Sequence, residues 1–184
     1  MTAPELAEYY QQFGKIAEEA EQVTKGLSEA QFNWRPAPDK WSVEECLAHL
    51  IIVGQWELKA IEQAIENGRA KGITGSGPFS YGPVERLIID LSRPPVRRGV
   101  SAPRRFQPLR DQPVTAILPT FTHLQAQFQA LTERADGLHL TRVKVVTPIS
   151  RFLKMSLGAM FAQIVAHERR HLDQARRVRD AISI

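Results

Sequence analysis

The stretch that decides the fold is residues 156–178, which read SLGAMFAQIVAHERRHLDQARRV. Its apolar residues recur every three or four positions, which is the spacing that places them on one face of a helix. The stripe continues beyond the stretch and consists of Leu157, Met160, Phe161, Ile164, Ala175, Val178 and Ile182. Because such a face must be buried against other elements, the stretch predicts a long amphipathic helix from about Ser156 to the end of the sequence.

Three further segments show the same helical periodicity. They run from about Pro4 to Lys25, from Ser42 to Asn67 and from Pro113 to Ala135. The second begins with Ser42 followed by Glu45 three residues later, which is the pattern of a capping box. Four amphipathic helices of similar length predict an all-α protein, a four-helix bundle, and we expect residues 1–184 to form a single domain.

Other residues predict where these elements end. Gly68 is expected to end the second helix and Asp111 to cap the third. Pro119 is expected to bend the first turns of the third helix or to delay its start. A short helix is predicted near Pro83–Leu91, and Thr141–Thr147 is predicted to be extended chain.

The connection between the second and third helices is long and basic. We call residues 68–112 the basic insertion. Between Gly68 and Arg110 it contains nine basic residues and two acidic ones. The same stretch holds six of the twelve prolines of the chain. A tight antiparallel connection needs only a few residues, so the second and third helices are predicted to run parallel, joined by a crossover.

Cysteine content and hydropathy argue against a secreted protein and against an integral membrane protein. The single cysteine, Cys46, rules out an intrachain disulfide and favours a reducing compartment. The first residues show neither the basic segment nor the apolar segment of a signal peptide. The longest apolar run, Leu50–Val53, is far too short to span a bilayer. A cytoplasmic protein with no membrane partner is therefore expected.

The sharpest chemical pattern is HERRH at residues 167–171. Histidines at positions i and i+4 lie on the same helical face, so the ring nitrogens of His167 and His171 can meet one cation. Both lie in or beside the apolar stripe, where two imidazoles are costly unless something satisfies them. The pattern indicates metal ligation; the alternative is a pair of buried histidines satisfied by hydrogen bonds.

The same five letters match the HExxH motif of zinc proteases. Those enzymes commonly take a third ligand from a separate downstream element. Here the chain ends at residue 184, and the residues after His171 continue the same helical pattern. The position of the motif therefore argues against peptide hydrolysis.

A third ligand is available upstream at His49. It lies on the second predicted helix, and its alternative role is that of a half-buried histidine. The two other histidines compete less well, because His123 falls off the apolar stripe of the third helix and His139 follows Gly137 in a loop. If the fourth helix needs one more nitrogen, His49 is the best donor.

At these residues the chain resembles the DinB-like superfamily of bacterial four-helix bundles, which includes YfiT-type metal-dependent hydrolases and thiol S-transferases. The resemblance spans about residues 9–178. The matching residues are Trp41, Ser42, Glu45, Leu47, His49, Leu50, Pro148, Phe152, His167, His171, Leu172 and Gln174. It implies a divalent metal bound by His49, His167 and His171, and an up-down-down-up order of helices. The basic insertion departs from the family pattern.

The resemblance also implies a chemistry. Zinc or nickel is expected as the metal, and iron, cobalt or manganese are compatible. Because relatives use low-molecular-weight thiols such as bacillithiol or mycothiol, we expect a small-molecule thiol as substrate and a metal-dependent transferase. A metal-dependent hydrolase and a non-catalytic, stress-linked metal-binding protein are the alternatives.

Three neighbouring side chains have two interpretations each. Glu45 would orient His49 or move protons, or it would act only in the capping box. Gln174 would contact the metal-ligating histidines, or it is a polar residue at the edge of the stripe. Cys46 would ligate metal or serve as a small buried residue.

The basic insertion is expected beside the metal site, where its arginines would recruit an anionic ligand. The arginines considered for this role are Arg97, Arg98, Arg104 and Arg105. The alternatives are a solvated surface and a surface that forms a homodimer. Aromatic residues interleave with the arginines, but no named nucleic-acid-binding motif is present, so nucleic acid is not the favoured partner.

Overall fold

The structure, a computed structural model, describes residues 1–94, 102–147 and 152–182; Arg97, Arg98 and Pro148 lie outside these ranges. Its helices are α1 (Pro4–Thr24), α2 (Glu29–Phe32), α3 (Val43–Ala70), α4 (Pro83–Ser92), α5 (Val114–Arg134) and α6 (Leu157–Asp180). Its strands are β1 (Lys144–Val146) and β2 (Lys154–Ser156), and a 3₁₀ turn covers Arg104–Phe106. The described chain is mostly helical, as predicted. Across the three described ranges, no helix combines the length and the apolar character that crossing a bilayer requires.

The four long helices lie where the periodicity predicted them. Each of α1, α3, α5 and α6 begins within one residue of its expected start, and α4 matches the short helix predicted in the basic insertion. Both α1 and α3 pack against α5 and α6, and α4 packs on α6. One hydrophobic core collects side chains from all four long helices. The packing of α3 on α6 brings together the two helices that carry the predicted metal ligands.

A capping box starts α3, as predicted. The Ser42 backbone N–H donates to the Glu45 carboxylate at 3.0 Å, and the Glu45 N–H donates to the Ser42 hydroxyl at 3.1 Å. Two backbone donors that a helix start leaves without intrahelical partners are thereby satisfied. Since His49 follows Glu45 by one turn, the box also fixes the face of α3 on which His49 lies.

The predicted end of α3 was wrong. The helix continues through Gly68 to Ala70, and the left-handed residue that follows it is Gly72, with φ 62°. Gly68 serves close packing instead, because a Cβ atom there would lie 2.8 Å from the Val143 side chain. The glycine therefore lets the chain before β1 approach α3.

The predicted cap of α5 was also wrong. Pro113 precedes the helix, and Asp111 lies outside it with φ 59°. The Val114 N–H instead donates to the carboxylate of Glu29 in α2, at 3.1 Å. Pro119 lies inside α5 without delaying its start. A carboxylate distant in sequence thus replaces the local cap.

A small hairpin leads into α6. Strands β1 and β2 pair antiparallel, with Val145 opposite Met155. The Leu157 N–H, the first of α6, donates to the Val143 carbonyl at 2.9 Å. Sequence analysis predicted extended chain for β1, which lies in the longer run Thr141–Thr147, but missed β2 and also α2, because no longer run of the same periodicity surrounds those two short elements. The hairpin fixes where α6 begins.

The capping box gives a first prediction. Ser42→Ala removes the hydroxyl that accepts from Glu45, and we expect it to lower the free energy of unfolding by about 1 kcal/mol in urea denaturation. Ser28→Ala is the matched control, because Ser28 forms the same box with Gln31 at the start of the four-residue α2. It should cost less. A larger loss from Ser28→Ala than from Ser42→Ala would contradict this account of α3.

Candidate metal centre

The structure brings the three predicted histidines together between α3 and α6. One ring nitrogen from each of His49, His167 and His171 lies within 4.8 Å of the other two. The ring centroids are 4.7 Å apart for His49–His171 and for His167–His171, and 5.4 Å apart for His49–His167. This three-histidine cluster could hold a metal ion, since neutral imidazole is a common ligand of divalent transition metals.

The cluster is largely shielded from solvent. His49 and His171 are 4% and 6% exposed, and the His167 imidazole is buried as well. The Trp41 ring packs 4.8 Å from the His49 ring and 5.6 Å from the His171 ring, measured between centroids. The indole therefore covers two of the three imidazoles.

A backbone carbonyl orients His49. Its Nδ1 lies 2.7 Å from the carbonyl oxygen of Phe106. Because a carbonyl only accepts hydrogen bonds, Nδ1 must carry the proton, and Nε2 then keeps the lone pair that a metal needs. Phe106 belongs to the 3₁₀ turn of the basic insertion. The expected position of the insertion beside the histidines is thereby confirmed for this turn.

His171 lacks the partners that would make it an ordinary buried histidine. Both of its ring nitrogens are buried, and neither has a hydrogen-bond partner within the described ranges. Gln174 lies near enough to raise the His171 pKa slightly, against larger opposing effects, but no complete hydrogen bond joins the two. An unsatisfied buried polar group costs about 1–3 kcal/mol. A metal ion would satisfy one of these nitrogens, so the residues present fit such an ion.

All three histidines are held in the neutral form. Burial, with smaller contributions from His49 and Arg170, lowers the pKa of His167 to about 3. Burial and the two neighbouring imidazoles lower the pKa of His171 well below its usual value. Burial also lowers the pKa of His49, partly offset by the bond to Phe106. Neutral imidazole is the form that ligates metal, so no proton has to leave before binding near neutral pH.

Glu45 is engaged away from the imidazoles. Besides the Ser42 N–H, its carboxylate accepts from Arg35, and Arg110 lies 3.8 Å from it. Burial alone would raise its pKa, but the Arg35 and Ser42 hydrogen bonds lower the pKa below its usual value. The capping-box interpretation of Glu45 is therefore confirmed, while the bond that orients His49 comes from Phe106.

The glutamate inside HERRH points to another helix. The Glu168 side chain is 2% exposed and accepts a hydrogen bond of 2.8 Å from Gln125 on α5. Burial raises its pKa to about 8, and burial also raises the pKa of Glu57 on α3 to about 8. Sequence analysis missed Glu57, although Val53 and Ile61, one turn to each side of it, mark its position as facing the core.

The remaining candidate ligands lie elsewhere. Cys46 is part of the hydrophobic core, and burial raises the pKa of its thiol, as expected for a small buried residue. His123 is exposed on α5. His139 packs against Phe79 and contacts the Thr141 hydroxyl. The structure therefore leaves these three side chains out of the cluster.

Glu57 gives a second prediction. In the unfolded chain its pKa is about 4.5, so its proton is gone by pH 7, whereas the folded protein keeps the proton until the pH reaches about 8. Stability must therefore fall as the pH rises from 7 to 9, by roughly 1 kcal/mol for this residue. Glu168, whose pKa burial also raises to about 8, adds to this fall. The three histidines offset part of it, because about a quarter of each imidazole is still protonated in the unfolded chain at pH 7.

Urea denaturation of the metal-free protein at pH 7 and pH 9 measures this effect. Glu57→Gln should reduce the loss of stability, while Glu62→Gln, at a half-exposed position on the same helix, should leave it unchanged. An identical pH dependence in wild type and Glu57→Gln would contradict the assignment of a buried, protonated Glu57.

Comparison with protein families identifies the chain. The sequence model of the DinB superfamily matches residues 12–175, which include α3, most of α6 and all three histidines of the cluster. Comparison with curated proteins and with solved structures gave no match. The helical fold and the three histidines at the expected positions agree with the family match. The chain belongs to the DinB superfamily.

Proposed function

We propose that the protein binds one divalent metal ion at His49, His167 and His171 and transfers a low-molecular-weight thiol to an electrophile. The observation that carries the proposal is the three-histidine cluster itself, in which three neutral imidazoles from two helices converge and His171 lacks other partners. A bound divalent ion would supply a Lewis acid that lowers the pKa of a thiol or of water at its open positions.

Two neighbouring groups of the chain support the proposed ligand set. The Phe106 carbonyl sets the tautomer of His49. The Trp41 ring shields His49 and His171, which keeps water from competing at their nitrogens. Both features would hold the imidazoles in place for a metal ion.

The ligand set narrows the metal without choosing one. Three imidazole nitrogens suit zinc or nickel, and iron, cobalt or manganese are compatible with the same donors. Zinc in a catalytic site commonly keeps three protein ligands and one open position. We therefore expect zinc or nickel in the native protein, with an exchangeable position for the substrate.

The position of Glu168 disfavours peptide hydrolysis of the HExxH type, in which this glutamate is the general base. A general base must come within hydrogen-bond reach of the water that it activates. The Glu168 carboxyl group is buried and accepts from Gln125 on α5. A thiolate, by contrast, is itself the nucleophile and needs no added base once its proton has left. The single buried cysteine supports a reducing cytoplasmic setting, where such thiols are kept reduced.

We also infer that the four long helices run up-down-down-up within one domain. Contacts near the start of α1 support an antiparallel α5, since Gln129 donates to the Tyr10 carbonyl. Contacts between α1 and α6 support a parallel pair. Tyr9 packs on Phe161 in the first half of both helices, and Arg179 donates to the Gln22 carbonyl near the end of both. The shared core and the family match over residues 12–175 support a single domain.

The metal assignment predicts the behaviour of one variant. Purified wild-type protein should carry about one divalent ion per chain by elemental analysis, and His171→Ala should lose most of it because two imidazoles bind far more weakly than three. His123→Ala is the matched control and should keep its metal, since His123 is exposed on α5. Full metal retention in His171→Ala would contradict the assignment of His171 as a metal ligand.

The catalytic proposal predicts metal-dependent turnover with thiols. Zinc- and nickel-loaded protein should join a small thiol to an electrophile such as an activated haloarene, and chelation should abolish the reaction. Casein should not be digested. Metal binding without turnover across a panel of thiols and electrophiles would favour the non-catalytic alternative, and casein digestion that Glu168→Gln abolishes would restore the protease interpretation.

A further inference from the structure

A cation without an anionic partner lies next to the three-histidine cluster. Arg170 directly precedes His171 on α6 and follows His167 by three residues. One terminal nitrogen of its guanidinium donates a long hydrogen bond of 3.4 Å to the Leu91 carbonyl on α4. Its Nε is buried, and no acceptor for it is found in the described part of the chain.

The preceding residue, Arg169, has a guanidinium group with both hydrogen-bond and ionic partners. Arg169 donates to the Gln12 side chain at 2.5 Å and pairs with Glu19 at 3.3 Å. Within residues 1–94, 102–147 and 152–182, by contrast, no salt bridge joins Arg170 to a carboxylate. Arg170 is partly buried and its Nε lacks an acceptor there, so an anion that reached the guanidinium would be stabilised.

Arg170 also acts on the cluster electrostatically. Its charge contributes to lowering the pKa of His49, of His167 and of His171. Burial lowers the pKa of Arg170 itself, which is the expected effect of removing a guanidinium from water. Because residues three apart on a helix are neighbours on its surface, Arg170 also lies beside His167 on α6.

We propose that Arg170 binds the carboxylate of a thiol whose sulfur occupies the three-histidine metal site, so that the substrate is an anionic rather than a neutral thiol. This rests on the proposed function. A guanidinium matches a carboxylate through paired, charge-assisted hydrogen bonds, and its buried Nε supplies one donor with no competing acceptor. The metal would hold the sulfur of the ligand while Arg170 selects its charge, which makes Arg170 a specificity-determining residue.

Cobalt-loaded protein provides a test that does not depend on turnover. Binding of a thiolate to cobalt adds a charge-transfer absorption band, which allows titration with three small thiols of different charge: 3-mercaptopropionate, 2-mercaptoethanol and cysteamine. We expect wild type to bind 3-mercaptopropionate roughly tenfold more tightly than 2-mercaptoethanol, and cysteamine least tightly. Arg170→Gln should abolish this preference, and Arg170→Lys should retain part of it because the charge remains.

Arg169→Gln is the matched control and should keep the wild-type preference, since Arg169 already has partners on α1. Cobalt content and circular dichroism establish that each variant is folded and loaded. An unchanged preference in Arg170→Gln, or equal affinities for all three thiols in wild type, would overturn the proposal.

Acetate separates failure of this inference from failure of the proposed function. If no thiol gives the charge-transfer band in wild type, thiol binding at the metal fails. Acetate, followed through the visible bands of cobalt, then decides the anion site alone. A shift in wild type and Arg169→Gln that Arg170→Gln loses supports Arg170 as the carboxylate-binding residue, and the same shift in all three proteins overturns that role.

Discussion

Three uncharged imidazoles share one shielded site between α3 and α6, and the other local features of the protein are arranged around them. An imidazole nitrogen removed from water must find a partner, and both nitrogens of His171 lack one in the described chain. The capping box at Ser42 sets the face of α3 that carries His49, and the β1–β2 hairpin sets where α6 begins. Each of these two features lies at the start of a helix, and together they help to set the positions of the histidines that follow.

The basic insertion has a role that its composition alone would not indicate. Helix α4 packs on α6, where the Leu91 carbonyl meets Arg170. The 3₁₀ turn packs on α3, where the Phe106 carbonyl meets His49. Two backbone carbonyls of the insertion therefore contact side chains at or beside the three-histidine cluster, one on α3 and one on α6. The arginine proposed to select the ligand belongs to α6. The insertion thus orients His49, and α6 supplies the charge of Arg170.

Helix periodicity and histidine spacing could be read from the sequence because both are local patterns. The stripe of α6 and the pair His167 and His171 follow from spacing, and the box at Ser42 follows from two residues. The cap that Glu29 gives to α5 and the carbonyl that orients His49 could not be read, since each joins segments far apart in sequence. Gly68 was misread because a glycine that permits close approach to Val143 looks the same in sequence as one that ends a helix.

The central claim is that His49, His167 and His171 are the ligands of one metal ion. X-ray absorption spectroscopy of the zinc-loaded protein, in thiol-free buffer, tests it most directly because it reports the atoms bound to the metal. The account predicts three imidazole nitrogens at about 2.0–2.1 Å, with the outer-shell scattering of histidine rings, and a light atom from solvent. In His171→Ala the imidazole contribution should fall to two or the metal should be lost. A first shell without imidazole scattering, or one that contains sulfur at about 2.3 Å and so requires Cys46, would contradict the account.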